Sequence, residues 1–253
     1  MQGAIYPSLK DRTVLVTGGG SGIGEAIVRR FVGQGSRVGF IDIDVKASKQ
    51  LLESLPAHAS VHFEHADLRD IGALRRAVAG VREAFGPITI LVNNAARDDR
   101  HAIEDVTPEF WDERIAVNLK HQFFFGAQAV APDMIRAGGG SIVNMGSVSW
   151  VIGQGNMPCY TTAKSAVQGL TRALARDLGP NNVRVNSILP GWIMTQRQHD
   201  LWLTPEGEAE LMQRQCLKRK LIPDDIARVV LFFAADDSGA CTNQNYIVDG
   251  GWV

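Results

Sequence analysis

The chain has 253 residues, 45% of them hydrophobic, and its 26 Lys and Arg against 27 Asp and Glu leave a net charge of -1. A chain this long buries about three quarters of its unfolded surface, which excludes disordered and disulfide-stapled miniprotein classes, and without a block of like charge it offers no track for nucleic acid. Positions 1–7 lack a basic stretch leading into an apolar run, no later run has the roughly 18 uncharged apolar residues of a bilayer span, and Cys159, Cys216 and Cys241 show neither paired nor metal-binding spacing; the expectation is a cytoplasmic protein with no membrane span, disulfide or metal.

In chain order, apolar β-rich runs alternate with longer amphipathic stretches. Strands are expected at 13–17, 37–41, 61–65, 88–92, 141–145, 183–189 and 246–248, and helices at 22–34, 45–55, 71–85, 108–135, 158–178 and 224–235. Runs such as Val14-Leu15-Val16 and Ile90-Leu91-Val92 are apolar at successive positions, as strands covered on both faces must be. The pattern predicts an α/β fold: one doubly wound parallel sheet of about seven strands with helices on both faces. No linker or repeat divides the chain, so residues 1–253 read as a single domain. The stretch 190–220, with a helix at 205–215, breaks the strand-helix rhythm as a substrate-loop insertion.

After the first strand, Thr17-Gly18-Gly19-Gly20-Ser21-Gly22-Ile23-Gly24 opens directly into a helix. Glycine lets the backbone turn tightly and approach a pyrophosphate, while the unpaired amides of the helix N-terminus attract the anion. The spacing of Gly18, Gly22 and Gly24 makes this a variant of the Rossmann-type dinucleotide turn. The second strand ends at Asp42, whose carboxylate can accept hydrogen bonds from both hydroxyls of an adenosine ribose and would repel a phosphate there. No Arg or Lys stands at Ser21 or Ile43, so NAD is expected rather than NADP. A phosphate-cradling NTPase is excluded because Ile23 and Gly24 occupy the place its lysine would need.

Tyr160 and Lys164, four residues apart, share one face of the helix expected from Pro158. A phenol near pKa 10 is a poor base at neutral pH, and the neighbouring cation is expected to lower it enough for Tyr160 to take an alcohol proton. Ser147, at the carboxyl end of a strand, can orient the same substrate oxygen.

Thr17 to Gly24, Asp67-Leu68, Asn93-Asn94-Ala95, Asn118, Ser147, Tyr160, Lys164, Pro190-Gly191, Thr195 and Val248-Asp249-Gly250-Gly251 together resemble the short-chain dehydrogenase/reductase family, over essentially the whole chain. The resemblance implies that Tyr160 is the general acid/base, Ser147 its partner, and Asn118 the residue that holds a proton path from Lys164. It also implies a cofactor site in which Asp67 and Leu68 meet the adenine, Asn94 and Ala95 support the central strand, and Pro190, Gly191, Ile193 and Thr195 flank the nicotinamide amide. Ala96 and Asn243 stand where the family usually has glycine. A homotetramer is implied by the same likeness, with the two long helices and an exposed Trp252-Val253 pair as its surfaces.

For the substrate, Asp99, Arg100 and His101 follow the fourth strand, Gln154 and Asn156 lie between Ser147 and Tyr160, and Trp192 and Gln198 follow Pro190-Gly191. Flat aromatic faces interleaved with amides and carboxylates suit a small polyhydroxylated ligand better than a steroid or acyl chain. Stretches outside the catalytic motifs, among them Asp98-Asp99-Arg100-His101, Trp111-Asp112-Glu113-Arg114-Ile115 and Thr204-Pro205-Glu206-Gly207-Glu208-Ala209, resemble a sugar-oxidising branch of the family. That likeness implies oxidation of a cyclic aldopentose at its anomeric carbon to the lactone, D-xylose first and L-arabinose second. Two alternatives stand beside it: a family member acting on another secondary alcohol or ketone, and a non-catalytic nucleotide sensor, against which the retained Tyr160 and Lys164 speak.

Overall fold

β1 (Thr13–Thr17) is buried along its whole length, as its uninterrupted apolar run requires. The computed structural model describes residues 3–253, with the side chains of Gly126 and Ala127 outside the description. Met1 and Gln2, where the leader reading begins, lie outside it as well. α1 (Gly22–Gly33), β2 (Arg37–Asp42), α2 (Val45–Ser54), β3 (Val61–His65), α3 (Ile71–Phe85) and β4 (Ile90–Asn93) follow. A helical run then begins with α4 (Pro108–Ile115) and continues through a π-helical turn at Ala116–Lys120, α5 (His121–Phe123), a second π-helical turn at Phe124–Val130 and α6 (Ala131–Arg136). β5 (Gly140–Met145), α7 (Pro158–Leu178), β6 (Val183–Pro190), α8 (Gln196–Leu201), α9 (Pro205–Arg214), α10 (Pro223–Ala234) and β7 (Asn245–Val248) complete the chain.

The seven strands form one parallel sheet in the order β3-β2-β1-β4-β5-β6-β7. In β1, Val14 and Val16 point into one core, with Phe31 of α1 and Val230 of α10. Leu15 points into the other, with Val78 of α3 and Leu174 of α7. This alternation is the two-residue period of a pleated strand, and each such fully buried side chain contributes roughly 1.5–3 kcal/mol. Strand order reverses between β1 and β4, so the carboxyl ends of those two strands flank a cleft where an open α/β sheet binds its ligands. Among the described residues no helix is long and apolar enough to cross a membrane.

Two elements differ from expectation. The helix expected at 108–135 is interrupted by two π turns; within the first, the Asn118 Oδ1 accepts from the Arg97 amide at 2.9 Å and its Nδ2 donates to Arg97 O and, one turn back, to Arg114 O. Such turns commonly mark functional sites. The segment 190–220 holds two helices, where a single one was expected. Thr195 caps α8 and Thr204 caps α9, each hydroxyl accepting a backbone N–H of the first turn.

Candidate active site

The glycine turn is shaped by close approach. Gly18 and Gly22 have φ of 65° and 56°, in the left-handed region that favours glycine. A Cβ on Gly24 would lie 1.8 Å from the Gly18 carbonyl oxygen, so no larger residue fits there. Asn94 locks β4 to this turn: its Nδ2 donates to Thr17 O and Gly18 O, both at 3.0 Å, and its amide to the Thr17 hydroxyl. Ala95 is drawn in by a second bond to that hydroxyl. Ser21 starts α1 without capping it, which leaves the first amides of the helix turned toward the cleft beside Ile23. These features fit a dinucleotide: a backbone cradle with no room for side chains, and free amides for its pyrophosphate.

Asp42 stands at the end of β2 with one carboxylate oxygen accepting from Gly20 N at 2.8 Å and the other from Asp44 N at 2.9 Å. Each oxygen has a lone pair left over for a ribose hydroxyl. Asp67 grips Arg69 through both carboxylate oxygens, and this bond holds its carboxyl below the usual range; Leu68 is tucked into the core beside it.

At the inner end of the cleft, α7 presents Tyr160 and Lys164 on one face. Lys164 Nζ lies 5.7 Å from the centroid of the Tyr160 ring and donates to the Met145 carbonyl, at the end of β5, at 2.7 Å. Ser147 accepts the Ser149 amide at 3.1 Å, which leaves its hydroxyl proton for the Tyr160 oxygen. Burial pushes the Tyr160 phenol above its ordinary value, the Asp98 charge adds to this, and the Ser147 hydrogen bond pulls it back. The expectation that the ammonium would dominate is therefore corrected. Lys164 is itself buried, and desolvation brings it down to about 7 against the opposing pull of Asp98, so it carries part of its charge at neutral pH.

A cavity of about 690 Å³ opens outward from these three residues. Asn94, Pro190, Gly191, Ile193 and Thr195 line it on the cofactor side, and Arg100, Gln154, Trp192 and Gln198 on the outer side. Three candidates stand elsewhere. Asp99 is enclosed by Arg97, Arg114 and Arg197, and Arg114 is almost fully buried there. His101 is a staple: its amide donates to Asn156 O at 2.8 Å, its Nε2 accepts from Cys159 N at 3.4 Å and its ring packs edge-on against Phe110. Asn156 turns the loop at φ 61° and offers its carbonyl to that staple. Asp98, Trp202, Glu206, Glu210, Arg214 and Trp252 line the cavity without having been singled out as contacts. Asp98 and Asp99 are adjacent and alike in sequence; Arg197 bonds both, and Arg97 and Arg114 pair with Asp99 while Asp98 lines the cavity. Trp252, expected to be exposed, is brought to the wall by a turn in which Asp249 accepts the amides of Gly251 and Val253. Of the two departures from glycine, Ala96 adds its methyl to the cavity lining, and Asn243 takes φ of 62°, a conformation asparagine tolerates.

A family model described as "Enoyl-(Acyl carrier protein) reductase", of the short-chain alcohol dehydrogenase class, matches residues 18–253. A protein of Rhizobium meliloti (strain 1021) named "Probable galactose dehydrogenase" is 52% identical over 97% of this chain and 96% of its own. A D-xylose 1-dehydrogenase of Caulobacter vibrioides is 46% identical over the full length of both. Among solved structures, a 7α-hydroxysteroid dehydrogenase complexed with NADH and 7-oxo glycochenodeoxycholic acid superposes with a TM-score of 0.93, at 29% identity over 99% of this chain and 98% of that one. A glycine cradle at the reversal of strand order, with serine, tyrosine and lysine gathered below it, accords with these likenesses: the chain is a member of the short-chain dehydrogenase/reductase family.

Proposed function

We propose that the protein is an NAD-dependent aldose 1-dehydrogenase, oxidising a cyclic aldose at its anomeric carbon to the lactone. The observation that carries this reading is the cavity itself: an acid/base cluster of Tyr160, Ser147 and Lys164 at its inner end faces a wall that alternates tryptophan faces with carboxylate and amide groups. Cyclic sugars have this same character, with C–H faces that stack and hydroxyls that need partners. The two full-length relatives named for galactose and D-xylose support it.

Gly18, Ser21, Gly22, Ile23 and Gly24 would hold the pyrophosphate, Asp42 the ribose, and Ile193 and Thr195 the carboxamide end of the cofactor. When bound, NAD supplies the acceptor for the hydride that leaves C1, and its oxidised ring brings a positive charge to the cleft. Tyr160 takes the proton of the C1 hydroxyl as the C1–H bond breaks and the C1–O double bond forms; burial and Asp98 oppose the phenolate this needs, and the Ser147 hydrogen bond, with the positive charge that bound NAD would bring, favours it. Ser147 holds that oxygen in line. Lys164, poised near neutrality, returns the proton toward solvent by way of the backbone around Asn118, and orientation within the cavity provides much of the remaining rate. Asp42 favours NAD, since a 2′-phosphate would meet its charge.

D-xylose remains the first substrate and L-arabinose the second. L-arabinopyranose carries the ring configuration of galactose without its C6 group and differs from D-xylopyranose at C4, so the relative named for galactose supports including sugars of both C4 configurations in the test. Initial rates of NADH formation with D-xylose, L-arabinose, D-glucose and D-galactose, each with NAD and NADP, test this reading. Negligible turnover of all four beside strong turnover of a hydroxysteroid would discard it. A tetramer is also proposed, supported by Tyr246 and Ile247 exposed on the edge strand β7; light scattering on the purified protein measures it.

A further inference from the structure

The polar groups of the outer wall are not equivalent. Gln198 uses both ends of its amide: Oε1 accepts from Trp192 Nε1 at 2.9 Å, and Nε2 donates to Asp98 Oδ2 at 2.7 Å. The Arg100 guanidinium lies over the Trp202 ring, 4.7 Å from its centroid. Glu210 is paired with Arg214 at the exposed rim. Asp98 differs from all of these. It is fixed from across the cleft, Oδ1 by Arg197 Nε at 3.1 Å and Oδ2 by Gln198, and its side chain is 24% exposed on the cavity wall. A carboxylate has about four acceptor positions, and two are in use here. The remaining two belong to an oriented anion that cannot swing away.

We infer that Asp98 is the specificity-determining residue of the outer wall, accepting a hydrogen bond from a ring hydroxyl of the polyol whose C1 hydroxyl meets Tyr160. The inference rests on the aldose reading and deepens it. A hydroxyl donating to a fixed carboxylate forms a charge-assisted hydrogen bond, and a substrate lacking that hydroxyl leaves the anion partly desolvated and unpaired. Asp98 thus selects for a polyhydroxylated substrate over a plain alcohol. Its charge has a second effect, since it acts on both Tyr160 and Lys164 and favours their protonated forms. The charged groups facing this region are Asp98 from the β4–α4 segment, Lys164 from α7, Arg197 from α8, Arg100 at the rim, and Glu206, Glu210 and Arg214 from α9; His121 beyond Lys164 is neutral.

The test pairs Asp98→Asn, which keeps the shape and an acceptor for Gln198, with substrates that lack one hydroxyl at a time. With the parent aldose, Asp98→Asn should raise KM about tenfold or more while the KM for NAD stays within about twofold. One of the 2-, 3- and 4-deoxy aldoses should already show that loss with the wild type and lose nothing further in the variant, because the partner hydroxyl is gone. The acid limb of the kcat/KM profile should move to lower pH in the variant, a change that a purely structural role would not produce. Asp98→Ser gives the same comparison should the asparagine variant fold poorly. If the wild type oxidises aldoses and every deoxy analogue loses the same factor as the parent on substitution, the inference is overturned and the aldose reading stands. If the wild type oxidises plain alcohols and no aldose, both fall.

Discussion

Lys164 reaches under the Tyr160 ring, with its Nζ 5.7 Å from the ring centroid, and anchors to the carbonyl of Met145. The pair joins α7 to the end of β5 inside a buried site, so the ionisation of each group is set first by desolvation and then by its charged neighbours. Replacing Tyr160 by Phe keeps the ring and removes the proton acceptor. The expected outcome is a loss of kcat of about 10²–10⁴-fold with cofactor affinity retained, measured by steady-state rates and NADH fluorescence titration. Activity near wild type would refute the acid/base role.

The same burial makes Lys164 costly to the fold. Its folded pKa of about 7 lies below the unfolded value near 10.4, so the unfolded state binds the extra proton between these limits. Wild-type stability should therefore rise as pH increases through that window. Lys164→Met should show a Tm advantage over wild type that is largest at or below pH 7 and shrinks toward pH 10, while activity is lost. Thermal unfolding at pH 6.5 and 9.5 checks both the sign and the trend.

His121, beneath the same site, is fully buried with Nε2 3.2 Å from the Ala95 carbonyl oxygen. Desolvation, with the Lys164 charge adding to it, pushes the imidazole down to about 3. Stability should fall as pH drops from about 6.5 toward 3, because the unfolded imidazole takes up a proton that the folded one refuses. His121→Gln should flatten this part of the curve. Urea unfolding midpoints from pH 7 to pH 4 provide the measurement, and identical slopes in the two proteins would contradict it.

Asp98 and Asp99 should separate cleanly. Asp99 neutralises Arg97, Arg114 and Arg197, and despite burial its carboxyl sits below the usual range because of them. Asp99→Asn leaves the buried Arg114 without part of its counter-charge and should cost about 2 kcal/mol, a fall in Tm of roughly 4–8 °C, while KM for the aldose changes less than about threefold. Calorimetry and kinetics on the same preparation compare it with Asp98→Asn.

Asp42→Ala removes the proposed ribose partner and the bonds to Gly20 and Asp44. KM for NAD should rise about tenfold or more, whereas KM for NADP should rise less or fall, since a repelling charge is gone. The ratio of kcat/KM for the two cofactors is the readout.

The sheet was legible from sequence because buried parallel strands need successive apolar residues, and Val14-Leu15-Val16 and Ile90-Leu91-Val92 have them. The glycine turn and the spacing of Tyr160 and Lys164 were legible for a related reason: each is local, fixed by backbone sterics or by one turn of helix. What the sequence left open was long-range. Arg197 bridges Asp98 and Asp99 alike, so what sets them apart is Arg114, 15 positions from Asp99, which the fold buries against Asp99 and not Asp98. Trp202 and Trp252 reach the cavity by way of the 190–220 segment and the final turn. The phenol's ionisation, too, is a property of the folded molecule, because desolvation depends on everything packed around a group, and that exists once the chain has closed over it.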